Sequence, residues 1–465
     1  MRFGRSLCGD LGAAEAREWL LTNGRGGYAM GTVAGTLTRR YHGLLIAAMD
    51  PPVTRRLVVA RLDFDVEYDG RTYELSTNRW RSGAIAPQGW RFIESFALED
   101  GLPAWRYALG DALLDVTLAM PEGADATAVV LRVVRARSPL AIRGRLVVAD
   151  RDHHGGALPD VSAFTTTPVD AGATIALPAS QRTLHVFAPG TVAHVASERY
   201  AGYVLPRETE RGLQDVDDYA HVLTLEWTLS GGAQSGVVLT LDASGPRDAG
   251  AIADARRAAN RARAGVQRTP LLGRLALAAD AFVVTRGAGS TIVAGYPWFT
   301  DWGRDTMISL PGLLLDTGRA HDAAAVLRTF AAHVQDGLIP NRFPDARGPA
   351  EYNTIDASLW FVEAVRAYVA ATDDGAFLRD VFPAVRAVID GYTNGTRYGI
   401  GTDADGLVRG GADGLQLTWM DAKVGDRVIT PRRGKPVEVN ALWYNALRAC
   451  ETFAQRLGES PDRYR

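Results

Sequence analysis

The spacing of apolar residues changes once along the chain, near residue 249, and this change limits the fold more than any other feature of the sequence. From about residue 20 to 245 the period is near two. Leu62, Phe64, Val66 and Tyr68 alternate with Asp63, Asp65 and Glu67, the pattern of a half-buried strand. Asp69-Gly70 follows at once, a dipeptide suited to the left-handed backbone of a tight hairpin, so 71–75 is expected to return as the partner strand. Leu223, Leu225, Trp227 and Leu229 repeat the alternation until Ser230-Gly231-Gly232 breaks it ahead of 237–241. Many such segments, separated by Gly, Pro and Asp turns, predict an antiparallel β-sandwich over residues 1–248.

The stretch 249–265 is rich in Ala and Arg and has no aromatic residue, which predicts a linker helix within 249–268. Thr269-Pro270 then opens a helical regime, with candidate helices at 271–284, 305–315, 320–334, 356–371, 376–392 and 440–457. Short turns alternate with long, aromatic-rich loops. That arrangement predicts a toroid of concentric helical hairpins over 269–465, with the loops at one end forming a site, and the whole chain reads as a multidomain β + α protein.

At 465 residues and 47% hydrophobic composition the chain exceeds the size at which one core keeps growing, in keeping with two domains. Charged residues make up 22% and the net charge is −2, so neither a nucleic-acid surface nor an acidic tail is expected. Cys8 and Cys450 form no metal-type spacing and read as free thiols in a reducing cytoplasmic setting. Asp10 interrupts the N-terminal region before any long apolar run, which argues against a signal peptide, and no stretch approaches the roughly 20 apolar residues of a membrane span. Phosphate-binding Gly-rich loops, HExxH and GxSxG are absent. Asn23-Gly24-Arg25-Gly26-Gly27-Tyr28 reads as a tight turn rather than a dinucleotide site, and His153-His154 as a surface loop. No cofactor or metal is expected.

Three clusters can carry chemistry. Trp298 to Thr306 places Trp298, Asp301, Trp302, Arg304 and Asp305 at the entry to a helix. Trp faces stack on the C–H face of a pyranose, and carboxylate and guanidinium groups bond its hydroxyls. The plainer alternative is that Asp305 and Thr306 cap the helix while the Trps fill core. A second cluster comprises 341–345, with Arg342, Pro344 and Asp345, and 351–356, with Asn353 and Asp356; here capping by Asp356 and an ordinary turn at Asn353 explain the residues as well as function does. The third holds Trp419 and Asp421 in a Gly-rich stretch, with Glu438 and Asn440 just before the last helix. Asp421 is the candidate proton donor, since a carboxyl desolvated beside Trp is raised in pKa. A surface turn pairing Asp421 with Lys423 is the alternative.

Several of these segments, together with 18–28, 39–45, 208–213, 352–360 and 416–421, resemble the bacterial and archaeal glycogen debranching enzymes of amylo-α-1,6-glucosidase type across essentially the whole chain. The resemblance implies an N-terminal β-sandwich followed by an (α/α)6 toroid, and an inverting glucosidase that removes the α-1,6-linked glucose at branch points of glycogen or branched maltodextrin. It implies that Arg304 and Asp305 hold the non-reducing-end glucose, that Asp421 is the general acid, and that Asp301, Trp302, Asn353, Asp356 and Trp419 wall the subsite. Trp298, Arg342 and Glu438 join them as candidate substrate-binding residues.

Inversion requires a second carboxylate about 6.5–9.5 Å from the acid to activate water. Related toroids carry it near their last helices, so the base is expected beyond Arg465, the toroid is expected to be present only to about half, and this chain alone is expected to hydrolyse glucan poorly. Two other functions fit the same residues: hydrolysis of another small glucoside such as trehalose or glucosylglycerate, and non-catalytic glycan binding. A 4-α-glucanotransferase activity and the oligomeric state stay open.

Overall fold

Two apolar faces that alternate along successive strands can be buried only against another sheet, and the first part of the chain does this with two sheets. The computed structural model describes residues 1–156, 158–343 and 349–465, and the chain divides into the units Met1–Leu277 and Ala278–Arg465. In the first unit one sheet has nine strands and the other eight, with every described pairing antiparallel. Leu62, Val66, Ile142 and Leu225 of one sheet and Trp105, Leu114, Val116 and Leu131 of the other share a single core.

The strand Val53–Tyr68 turns through Asp69 (φ 51°) and Gly70 (φ 69°) into Arg71–Glu74, with Tyr68 opposite Arg71. The expected half-burial is corrected. Asp63 and Asp65 are themselves buried, because Arg61 Nε lies 2.7 Å from Asp63 and Arg145 grips Asp65 with two N–H groups, so paired charges cover the polar face. The break at Ser230-Gly231-Gly232 carries the chain between sheets. Val216–Leu229 pairs within the eight-stranded sheet, and Gln234–Thr240 lies in the other, between Ala126–Arg135 and Arg182–Phe187. The helix Ala249–Gly265, capped by Asp248 from Ala251 N at 3.0 Å, buries Ala249, Ile252 and Ala253 in the sandwich core, so it packs as part of that unit.

The turn Asn23 to Tyr28 is a close approach of backbones: a Cβ on Gly26 would stand 2.4 Å from the Pro52 carbonyl oxygen. Segments 39–45 and 208–213 meet around buried side chains. Arg40 N donates to Glu208 Oε1 (3.2 Å), and its guanidinium reaches the carbonyls of His154 (2.7 Å) and Gln214 (2.8 Å). His153, expected on a surface loop, is buried with its ring 5.7 Å from that of Tyr41, because this corner of the sandwich folds the loop inward.

His42 is fully buried; Thr38 N donates to its Nδ1 (3.1 Å), which leaves Nε2 as the protonated nitrogen 3.0 Å from Glu18. Burial raises the Glu18 carboxyl, but hydrogen bonds from His42 and Arg39 outweigh it and hold its pKa at about 2. Burial lowers the His42 pKa against the pull of Glu18. The unfolded chain therefore takes up protons at both groups before the folded one does. The stability they contribute is complete above the unfolded His value of about 6.5 and falls through about 4.3 toward the folded Glu18 value. The urea midpoint of the sandwich transition should drop between about pH 7 and about pH 4. A His42→Gln variant should lose the upper part of that drop; an equal drop in both proteins would contradict the role given to His42.

In the second unit, helices Gly303–Leu310, Ala320–Ala332, Ala357–Thr372, Gly375–Asn394 and Val437–Leu457 follow the predicted candidates with small shifts of their ends. Ala357–Thr372 is central and packs against the other four, with Phe361, Val362, Val365 and Val369 in the core. The first candidate is corrected. Helix Pro270–Asp280 ends early, and Val283–Arg286 pairs with Gly289–Ile292 as a hairpin, as its β-branched residues around Gly287 favour. Among the described residues no helix is long and apolar enough to cross a membrane.

Candidate active site

Arg304 lies in the first turn of Gly303–Leu310 and is almost wholly buried, so its charge needs partners. Its Nε donates to both Asp356 oxygens at 2.9 Å, and its Nη2 reaches Thr354 Oγ1 (3.2 Å) and the Leu417 carbonyl (3.4 Å). Asp356 sits at the start of Ala357–Thr372 but does not cap it. Its carboxylate serves Arg304 and accepts from Thr354 Oγ1 at 2.8 Å, while Thr354 Oγ1 accepts from Ala357 N at 3.3 Å. The remaining guanidinium nitrogen, Nη1, stands 3.9 Å from Asp421 Oδ2. Ile355 N donates to the Leu417 carbonyl at 2.8 Å and holds the Asp421 loop to this helix start.

Asp421 does not occupy the dry setting expected beside a tryptophan: its side chain is 55% exposed and Trp419 is 53% exposed. The alternative pairing with Lys423 is not found either, since that ammonium donates to the Gly414 carbonyl at 3.2 Å. Asp305 keeps a solvent-exposed face, yet protein packed around its carboxyl pushes its pKa up; Arg304 opposes the shift, and the carboxylates of Asp421 and Asp356 add to it. Neither Asp305 nor Thr306 caps the helix, whose N-cap is Trp302 without a side-chain bond.

Beside this cluster lies an open groove of about 560 Å³, within the range of small-molecule sites. Asp356, Trp419 and Glu438 line it, as do Ile308, Trp360, Glu363 and Asn445. These four were missed by sequence reasoning. The spacings 356, 360, 363 and 438, 442, 445 set two stripes on facing helices, and that periodicity was the available signal. Burial raises the Glu363 carboxyl, but bonds from Arg366 and from Asn445 Nδ2 (2.6 Å) prevail and lower it, keeping it ionised. Glu438 is bound by Arg432.

The other predicted residues stand around this center in different ways. Arg342 lies over the Trp302 ring at 5.7 Å and donates to Glu351 at 2.7 Å, and Asn353 accepts from Asn341 Nδ2 at 3.3 Å. Asp301 is fully buried, bound by Arg286 at 2.8 and 3.0 Å and by Thr291 at 3.2 Å, so its carboxylate anchors the hairpin. Trp298 is half-buried in the turn closed by Phe299 N and the Gly295 carbonyl at 2.8 Å. Pro344 and Asp345 lie outside the described residues.

Residues 277–465 match the family model described as amylo-alpha-1,6-glucosidase, and residues 17–235 match the one described as glycogen debranching enzyme N terminal. The glycogen debranching enzyme of Saccharomyces cerevisiae is 29% identical over a stretch covering 34% of this chain and 14% of that one, so the chain spans only a small part of that relative. A bacterial glucoamylase complexed with acarbose aligns over 96% of this chain and 66% of its own at 10% identity and a TM-score of 0.47. A rhamnosidase from Klebsiella oxytoca with rhamnose bound aligns over 77% and 60% at 16% identity and a TM-score of 0.34.

Proposed function

Because the chain belongs to the glycogen debranching enzyme family, we propose that its helical unit supplies the glucose-binding and proton-donating part of a hydrolase that removes α-1,6-linked glucose from branched glucan by inversion. The observation that carries this reading is the approach of Asp421 to Arg304, 3.9 Å apart, while Arg304 is locked by Asp356 beside a tryptophan-lined groove.

In this scheme Trp419 and Trp360 offer faces to the pyranose, and Arg304 with Asp305 bonds its hydroxyls. A seated sugar covers the Asp421 carboxyl in place of water, and Asp421 donates its proton to the departing oxygen. The groove carboxylates Asp356, Glu363 and Glu438 are each committed to an arginine, so we assign the water-activating base to a residue outside this set. The packing that raises Asp305 favours a second reading, in which Asp305 carries the proton.

The test is product analysis on branched limit dextrin and on trehalose. Glucose released from the dextrin as the β-anomer, with trehalose untouched, is the expected result; release from trehalose would shift the substrate to small glucosides.

A further inference from the structure

The loop that carries Trp419 and Asp421 has a second side. Gln416, Leu417, Val428, Pro431 and Arg432 line a separate pocket of about 280 Å³. Its frame is fixed by paired backbone bonds between Gly410 and Gly434 (2.9 and 3.0 Å) and by Arg433, which reaches Asp413 at 2.5 Å and the Ala412 carbonyl at 3.0 Å. Arg432 lines the pocket and holds two residues that line the groove: its Nη2 binds both Glu438 oxygens, and its guanidinium lies 5.9 Å from the Trp419 ring centre.

Two polar atoms of this pocket are unsatisfied. Gln416 Nε2 and Arg432 Nε are buried and find no acceptor among the described residues. Buried donors of this kind are costly and uncommon, and they are tolerated where a ligand supplies the acceptor. Leucine, valine and proline beside amide and guanidinium donors suit a sugar ring, which offers a C–H face and a rim of oxygens. An anionic ligand fits less well, because Glu438 and Asp413 already neutralise the two arginines.

We propose that this pocket receives the leaving-group side of the substrate, a neutral oligosaccharide arm, so that Gln416 and Arg432 select a glucan over a small aglycone. The proposal rests on the glucosidase reading above. The near-isosteric Gln416→Leu removes the donor, and Gln416→Glu replaces it with a charge at the same size. For both variants kcat/KM on branched dextrin should fall roughly 10-fold further than on α-glucosyl fluoride, whose leaving group is too small to reach the pocket. An equal loss on both substrates, or none on either, overturns the assignment. A parent protein that neither binds nor cleaves the dextrin sinks the glucosidase reading; if it binds the dextrin without cleaving it, as expected of a chain that lacks the base, calorimetric binding decides this proposal by itself: weaker binding by both variants upholds it, unchanged affinity rejects it.

Discussion

Replacing Arg304 with methionine should destabilise the helical unit by about 3–5 kcal/mol, because it leaves the Asp356 carboxylate buried without a counter-charge. Thr354 Oγ1 would be its only remaining side-chain partner among those described, and a single hydroxyl does not replace a guanidinium that spans both oxygens. The loss should appear as a lower denaturant midpoint of the unit's transition with an unchanged slope. A second change, Asp356→Leu, removes the stranded charge, and the double variant should regain most of the midpoint while lacking the guanidinium proposed to bind glucose. An Arg304→Met protein as stable as the parent would mean that the pair is open to water, and the rigid clamp on which the site depends would be lost from the account.

The helical regime was legible because its apolar residues repeat with the helix period over long segments, and the central helix at 357–372 was placed within a residue at each end. The hairpin at 283–292 was not, since Val283 and Val284 continue an apolar run that started as a helix, and only the β-branched residues flanking Gly287 mark the change. Burial of Asp65 escaped the sequence for a different reason: its partner Arg145 lies on a neighbouring strand, and pairing across strands leaves no local pattern, whereas Asp63 pairs with Arg61 on its own strand. The same limit applies to the site. Arg304, Asp356 and Asp421 stood out by type, but nothing local says that Asp356 gives up helix capping to bind Arg304 from 52 positions away. Asp301 shows the converse, a carboxylate in the richest motif that the fold spends on Arg286.

The groove also explains why the Trp419 loop needs support. Trp419 is largely exposed, and an exposed ring holds a fixed orientation only if neighbours pin it. Arg432, locked by Glu438, supplies that contact from one side, and the Leu417 carbonyl ties the loop to Arg304 and Ile355 on the other. Loop and clamp are thus parts of one structure, and disturbance of either should reach the Asp421 carboxyl.

The most direct test of the account is the turnover of Asp421→Asn on branched dextrin, measured beside its affinity for the same glucan and beside Asp305→Asn. Asparagine keeps the shape and loses the transferable proton, so kcat should fall by roughly 10²–10⁴-fold with dextrin binding nearly unchanged. Asp305→Asn should instead weaken binding as well as rate. Parental turnover in Asp421→Asn, or loss of the chemical step confined to Asp305→Asn, would contradict the central claim that Asp421 delivers the proton to a glucosyl bond held at Arg304.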